Sequence, residues 1–211
     1  MINISSILVL APHTDDFELG CGGFINKAIR FNCDVTVVNF SNAWQSLPSG
    51  YDKNTLIDES KNASLTLGLK KEQVIQLEYE VREFSSSRQA ILNELITLRD
   101  TISPELVLMP ASDDIHQDHS CITSEAKRAF KNLTCLGYEL PWNSFNFSNT
   151  FYCSLDEDSL QMKIKALGQY NSQKHKPYFD PEFIRANSKV RGIQAGCQYA
   201  ECFEVIRMYW R

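Results

Sequence analysis

The chain has 211 residues, of which 43% are hydrophobic and 22% charged, and its formal net charge is −5. At roughly 100–200 residues per domain, this is one globular domain with a core large enough to need no staples. The mix excludes a disordered chain, a collagen repeat and a coiled coil, and the acidic balance speaks against a nucleic-acid partner.

The seven cysteines (21, 33, 121, 135, 153, 197 and 202) are scattered, odd in number and without a C-x-x-C pair. Such spacing reads as free thiols of a reducing compartment, not as a disulfide framework or a cysteine zinc site. Met1 to Ser6 carries no basic, then apolar, leader, and no stretch approaches 18 apolar residues. The expected setting is therefore the cytoplasm, with no membrane span.

In chain order, Ile4 to Ala11 reads as a buried strand ended by Pro12. A polar turn, the glycines 20, 22 and 23, and a helical pattern through Phe31 follow. Asp34 to Phe40 is a second strand and Asn42 to Asp52 a loop. Leu56 to Leu67 is a helix stopped by Gly68, and Val74 to Leu77 a short strand. Ser87 to Ile102 is a helix, and Leu106 to Met109 a strand ended by Pro110. A further helix starts at Asp118 or Ser120 and runs to Lys131. Strand and helix alternate to this point, the pattern of βαβ units in a parallel sheet with helices on both faces. After Asn132 the rhythm changes. Cys135–Leu140 and Phe151–Leu155 read as strands, Ser159–Tyr170 and Pro181–Lys189 as helices, and Tyr199–Tyr209 as a last strand or a short helix. The fold class is thus α/β, a Rossmann-like, mostly parallel sheet over residues 1–211 with a C-terminal α+β extension.

Ligands of open parallel sheets sit at the carboxyl ends of the strands. Two such ends carry dense polar clusters. Pro12-His13-Thr14-Asp15-Asp16 follows the first strand, and Ser112-Asp113-Asp114-Ile115-His116-Gln117-Asp118-His119 follows the fourth. Three of the four histidines fall in these loops; the fourth, His175 between two lysines, reads as a surface residue. Two imidazoles and a carboxylate suit Zn²⁺ or Fe²⁺ and leave positions open for water and substrate. Such a site also needs a base for the water proton, for which Asp15 or Asp16 is the spare carboxylate, and a proton donor, for which one histidine is spare. The plainer readings are a helix cap for the Asp-Asp pair and a solvated helix start for His-x-x-His. Gly20-x-Gly22-Gly23 lacks the lysine of a P-loop and reads as a close helix–sheet contact.

Taken together, Pro12-His13-Thr14-Asp15-Asp16, Gly20-Cys21-Gly22-Gly23 and His116-Gln117-Asp118-His119 resemble the PIG-L/LmbE-like zinc-dependent de-N-acetylases. Glu59 to Ala63 with Leu67-Gly68, and the tail Arg191-Gly192-Ile193-Gln194 with Tyr199 to Glu204, extend the likeness over most of the chain. The resemblance implies that His13, Asp16 and His119 hold Zn²⁺, with Fe²⁺ or another divalent ion as the alternative. It implies that Asp15 is the general base. His116 would stabilise the oxyanion or protonate the amine, and Asp118 would hydrogen-bond His116 and favour its imidazolium. The implied reaction removes acetyl from an N-acetylated amino sugar, as a glycoside or sugar nucleotide. The alternatives are another small amide such as N-formyl, or a metal-binding relative without catalysis. Thr14 departs from the commoner Pro, and Leu56 stands where relatives often have an Arg three residues before Glu59. For substrate contacts the sequence offers Arg82, Arg88, Arg191, Trp44 and Tyr178 as a rim for a sugar and an anionic aglycone. The aromatic 142–152 stretch is either a wall of the site or a surface for self-association.

Overall fold

The computed structural model describes residues 4–209; Met1 to Asn3, part of the Met1–Ser6 stretch considered above for a leader, and Trp210 and Arg211 lie outside the described residues. The described residues form seven strands, β1 (Ser6–Ala11), β2 (Asp34–Asn39), β3 (Val74–Gln76), β4 (Leu106–Pro110), β5 (Thr134–Tyr138), β6 (Phe151–Leu155) and β7 (Tyr199–Arg207). Six α-helices accompany them: α1 (Asp16–Arg30), α2 (Thr55–Leu67), α3 (Arg88–Ile102), α4 (Gln117–Ala129), α5 (Glu157–Leu167) and α6 (Pro181–Ala195). All seven strands join one sheet in the order β3-β2-β1-β4-β5-β7-β6. β1 to β5 run parallel, and β7 is antiparallel to both of its neighbours. The Rossmann-like reading therefore holds. The C-terminal elements are not a separate layer, because β7 and β6 extend the same sheet at its edge.

Alternation along the strands feeds two cores. Ile7, Val9 and Ala11 of β1 point to one face, where Phe17 and Ile25 of α1 and Leu160 of α5 cover them. Leu8 and Leu10 point to the other, under Ile91 and Leu95 of α3 and Ile122 of α4. Burial of each such side chain contributes about 1.5–3 kcal/mol, which is why the inner strands read as unbroken apolar runs.

Helix α1 is broken. Cys21 has non-helical angles (φ −145°, ψ 20°), so the segment is two helices in series. The break frees backbone groups in a buried place, and two charged side chains take them up. Glu201 of β7 accepts the Gly23 and Phe24 N–H groups (2.9 and 2.6 Å), while Lys163 of α5 donates to the Leu19 carbonyl (2.7 Å). The two also pair at 2.6 Å, with side chains no more than 6% exposed. The glycines allow this close approach. A Cβ on Gly20 would collide with the Tyr138 ring, and one on Gly23 would come within 2.6 Å of Leu155.

Several boundaries differ from the sequence reading, three of them with a clear physical reason or outcome. The last element is a strand, Tyr199–Arg207. Helix α4 starts at Gln117, because His116 itself caps it. Helix α6 continues six residues past Lys189, where Val190 and Ile193 are 52% and 68% exposed and leave no apolar stripe to read.

Candidate active site

β1 and β4 are hydrogen-bonded neighbours, with Ile7 beside Leu106 and Val9 beside Leu108. From β1 the chain builds outward through β2 and β3; from β4 it builds the other way. The loops leaving these two strands diverge, and a crevice opens at their carboxyl ends. This brings His13 and His119, 106 positions apart, to within 3.2 Å.

His13 Nδ1, Asp16 Oδ2 and His119 Nε2 form a triangle with edges of 3.1, 3.2 and 3.2 Å. Ligand atoms of a tetrahedral site with bonds of about 2.0–2.1 Å stand about 3.3–3.4 Å apart. The donor set therefore fits one divalent ion in type and in size. All three residues are buried. Burial opposes charge on Asp16, but His119 and His13 overcome it and hold the carboxyl well below its usual range. At His119 burial is likewise outweighed, by Asp16 and Asp114, and the imidazole is raised to about 10. Such a proton is one that a bound cation displaces. His116 also lies near, with a ligand atom within 4.8 Å of those of His13 and His119. Asp16 closes the tighter triangle, its Oδ2 standing 3.1 and 3.2 Å from the two ring nitrogens, while His116 Nδ1 accepts the Asp118 N–H at 3.2 Å.

Neither carboxylate of the Asp-Asp pair caps α1. Asp16 Oδ2 turns back to accept the His13 N–H (2.8 Å), and Asp15 makes no side-chain cap. Asp15 borders the cleft beside the triangle. Burial lifts its carboxyl above the usual value, and Lys176 works against that rise.

The outer partners differ from the expected ones. Asp118 does not hydrogen-bond the His116 ring through its carboxylate. Its Oδ2 sits 3.0 Å from His13 Nε2 and accepts the Arg82 N–H at 2.7 Å. Among the described residues no carboxylate hydrogen-bonds the His116 ring; burial, with His119 and His13, outweighs the opposing pull of Asp16 and Asp118 and lowers it to about 4. The reason is the helical turn. Two residues into α4, Asp118 offers its backbone N–H to His116 and its side chain to the facing loop. His119 is oriented by Asp114 instead, at 2.7 Å from its Nδ1. Asp114 lay unassigned in the sequence cluster; the signal that finds it is a carboxylate five residues before a helical ligand. Partners of this kind fix ring orientation and raise ligand basicity, so Asp114→Asn is expected to weaken divalent-metal affinity about 10–100-fold, measured by chelator competition.

The cleft has a cavity volume of about 190 Å³. Of the five rim residues expected from sequence, Arg82 and Tyr178 border it. Three do not. Arg88 pairs with buried Glu125 at 2.5 Å, and Arg191 is engaged by Glu139 and Gln194. Trp44 lies under the Lys53 ammonium at 4.2 Å, while its neighbours Ala43 and Ser46 face the cleft. The sequence could not show that buried carboxylates claim those two arginines. Trp142 does form a wall, stacked on Tyr178 at 4.0 Å with planes 11° apart, whereas Phe145 of the same stretch is exposed. His175 is a surface residue. Lys176 and Gln173, which the sequence did not single out, line the cleft, and Leu56 stands at its edge. Their segment is tied down by Glu59, which accepts the Ser172 N–H and hydroxyl at 2.9 and 2.6 Å.

Arg82 has φ +71°. A left-handed backbone at a non-glycine residue costs about 1–3 kcal/mol and persists where surroundings over-determine it. Here the Asp118 carboxylate takes its N–H and the Gln117 side chain its carbonyl.

Among the described residues no helix is long and apolar enough to cross a membrane. The chain is 27% identical over 177 residues to "Uncharacterized deacetylase YaiS" of Escherichia coli (strain K12), which spans 79% of this chain and 90% of that protein. The fold is shared with the N,N'-diacetylchitobiose deacetylase from Pyrococcus horikoshii, at a TM-score of 0.80 and 20% identity over 97% of this chain and 84% of that one. It is also shared with GalB, the 4-carboxy-2-hydroxymuconate hydratase from Pseudomonas putida KT2440, at 0.79 and 18% over 99% and 98%. Architecture alone thus does not choose between these chemistries. Residues 8–130, which carry both polar loops and the strands that bring them together, match the family described as PIG-L: GlcNAc-PI de-N-acetylase, and the chain belongs to that family.

Proposed function

We propose that the protein is a metal-dependent hydrolase that removes the acetyl group from an N-acetylated amino sugar, releasing acetate and a free amine. The observation that carries this reading is the His13–Asp16–His119 triangle with Asp15 beside it in the same cleft. His13, Asp16 and His119 would hold the ion, with Zn²⁺ the best match to two imidazoles and one carboxylate. When bound, such an ion supplies Lewis acidity and lowers the pKa of its water to about 7.

The chain's own groups do the rest. Asp15 takes the proton of the attacking water, and burial, which raises its carboxyl, suits it to pass that proton on to the departing amine. His116 accepts from the Asp118 N–H at Nδ1, so the neutral ring carries its proton on Nε2. It therefore serves as a hydrogen-bond donor to the oxyanion of the tetrahedral intermediate, rather than as the acid for the amine. Asp118 and Asp114 hold the two ligand rings in place. Trp142 and Tyr178 offer a flat apolar surface to the sugar ring.

Acetate release from N-acetylglucosamine-containing glycosides and sugar nucleotides tests the reading. Activity is expected to vanish with a chelator and to return on adding Zn²⁺. Turnover that persists in the metal-depleted protein, or release of formate in place of acetate from matched substrates, would count against it.

A further inference from the structure

We infer that Gln173 sets a requirement on the substrate: its side-chain carbonyl oxygen faces the cleft as a fixed acceptor, and the sugar must bring it a hydrogen-bond donor, a ring hydroxyl or the acylamino N–H. The inference rests on the deacetylase reading of the same site. Gln173 borders the cleft together with Asp15, Asp16, Trp142 and Tyr178, and it is 1% exposed.

The count of protons fixes which end of the amide is free. Glu59 accepts both the Ser172 N–H and the Ser172 hydroxyl, at 2.9 and 2.6 Å. A hydroxyl has one proton, so Ser172 has only a lone pair left for Gln173. Gln173 answers with its NH2 group, Nε2 standing 2.8 Å from Ser172 Oγ. The opposite orientation would set two acceptor oxygens against each other. The carbonyl oxygen is therefore the free end, and among the described residues no donor reaches it. Nor is it sealed in the interior, as the unpartnered Glu18 Oε2 and Asn39 Oδ1 are.

The turn that carries this amide is held on both sides. Asn171–Gln173 is a single 3₁₀ turn after α5. The Gln173 N–H reaches the Tyr170 carbonyl at 3.0 Å, and the Gln173 backbone carbonyl takes the Lys176 N–H at 2.9 Å. Tyr170, fully buried, donates its hydroxyl to the Thr14 carbonyl, between His13 and the Asp15–Asp16 pair. The acceptor thus keeps its place relative to the ligand triangle, and little ordering cost remains for a substrate that meets it. A substrate that covers this oxygen without supplying a donor leaves it buried and unpaired, and a site built that way rejects such an analogue strongly. Gln173 is then a specificity-determining contact. Ser172 and Glu59 are positioning residues that act through it.

The test is a cycle of substrates and variants on the zinc-loaded protein, read as kcat/KM for acetate release. The substrates are methyl N-acetyl-β-D-glucosaminide, its 3-, 4- and 6-deoxy analogues, and the methyl 2-O-acetyl-β-D-glucoside, whose ester lacks the N–H. Gln173→Met keeps the length of the side chain and removes the acceptor. It is expected to lower kcat/KM for the parent about tenfold or more, and to leave the one analogue that lacks the matching donor within about twofold. A deoxy sugar in that place identifies a hydroxyl as the donor; the ester identifies the acylamino N–H. Ser172→Ala lets the amide turn over, and is expected to shrink the gap between the parent and that analogue about threefold or more. It carries the same comparison where Gln173→Met does not fold. An equal effect of Gln173→Met on all five substrates, or a Ser172→Ala protein that discriminates as the unaltered one does, overturns the inference. No acetate from any of the five overturns the deacetylase reading. Calorimetric titration with the same five compounds then runs the same cycle, and equal or absent binding overturns the inference as well.

Discussion

Replacing Asp15 by Asn is expected to lower acetate release by about 10²–10⁴-fold while metal content stays near one ion per chain. The separation of the two readouts is what the geometry demands. The proposed ligand atoms belong to His13, Asp16 and His119, whose edges close at 3.1–3.2 Å without Asp15. Asn keeps the volume of the side chain and removes its capacity to take a proton. The backbone of residue 15 stays as it is, since no side-chain cap on α1 depends on the carboxylate. Metal analysis and a fixed-time acetate assay on the same preparation settle the matter. A variant that loses its metal along with its activity would make Asp15 a ligand. One that keeps both would remove it from the mechanism.

Glu201→Ala is expected to be the most damaging substitution for stability away from the cleft. It leaves the Lys163 ammonium buried without its carboxylate and strips the Gly23 and Phe24 N–H groups of their acceptor. Removing one partner of a buried pair costs about 3–5 kcal/mol. For a chain of this length that is a fall of about 10 °C in Tm, read by thermal denaturation. The pair also holds the break in α1, and the first half of that helix carries Asp16. Metal affinity should therefore weaken together with stability. A double substitution, Lys163→Met with Glu201→Gln, avoids the unpaired charge and is expected to be less unstable than the sum of its single changes. If Glu201→Ala melts within about 1 °C of the unaltered protein, the pair is not what holds the break; an effect that small is worth well under 1 kcal/mol at this chain length.

The parts of the site that were legible in the sequence share a cause. His13, Asp15 and Asp16 lie within four positions, as do His116 and His119, and each group follows an apolar run that ends at a proline. Local density of ligating residues after a strand survives translation into linear sequence. The partners of those residues do not. Asp118 was visible, yet its carboxylate serves His13 across the crevice and not His116 beside it. Asp114, Glu59 and Lys176 take their roles from residues on other elements: Asp114 meets His119 only once α4 has turned, and Glu59 meets Ser172 across 113 positions. Arg88 and Arg191 looked like rim cations because sequence shows charge and hides the buried carboxylate that neutralises it.

Periodic apolar patterning and the polar turns after β1 and β4 were sufficient for the α/β layering and for where the candidate site residues cluster. These depend on contacts within a strand or a helical turn, which the order of residues encodes directly. Which strands became neighbours, and hence that the two polar turns face one another, was decided in three dimensions. So were the orienting carboxylates, the free or paired state of each arginine and the seam through α1. Each of these is a match between surfaces distant along the chain, and only packing brings such surfaces into contact.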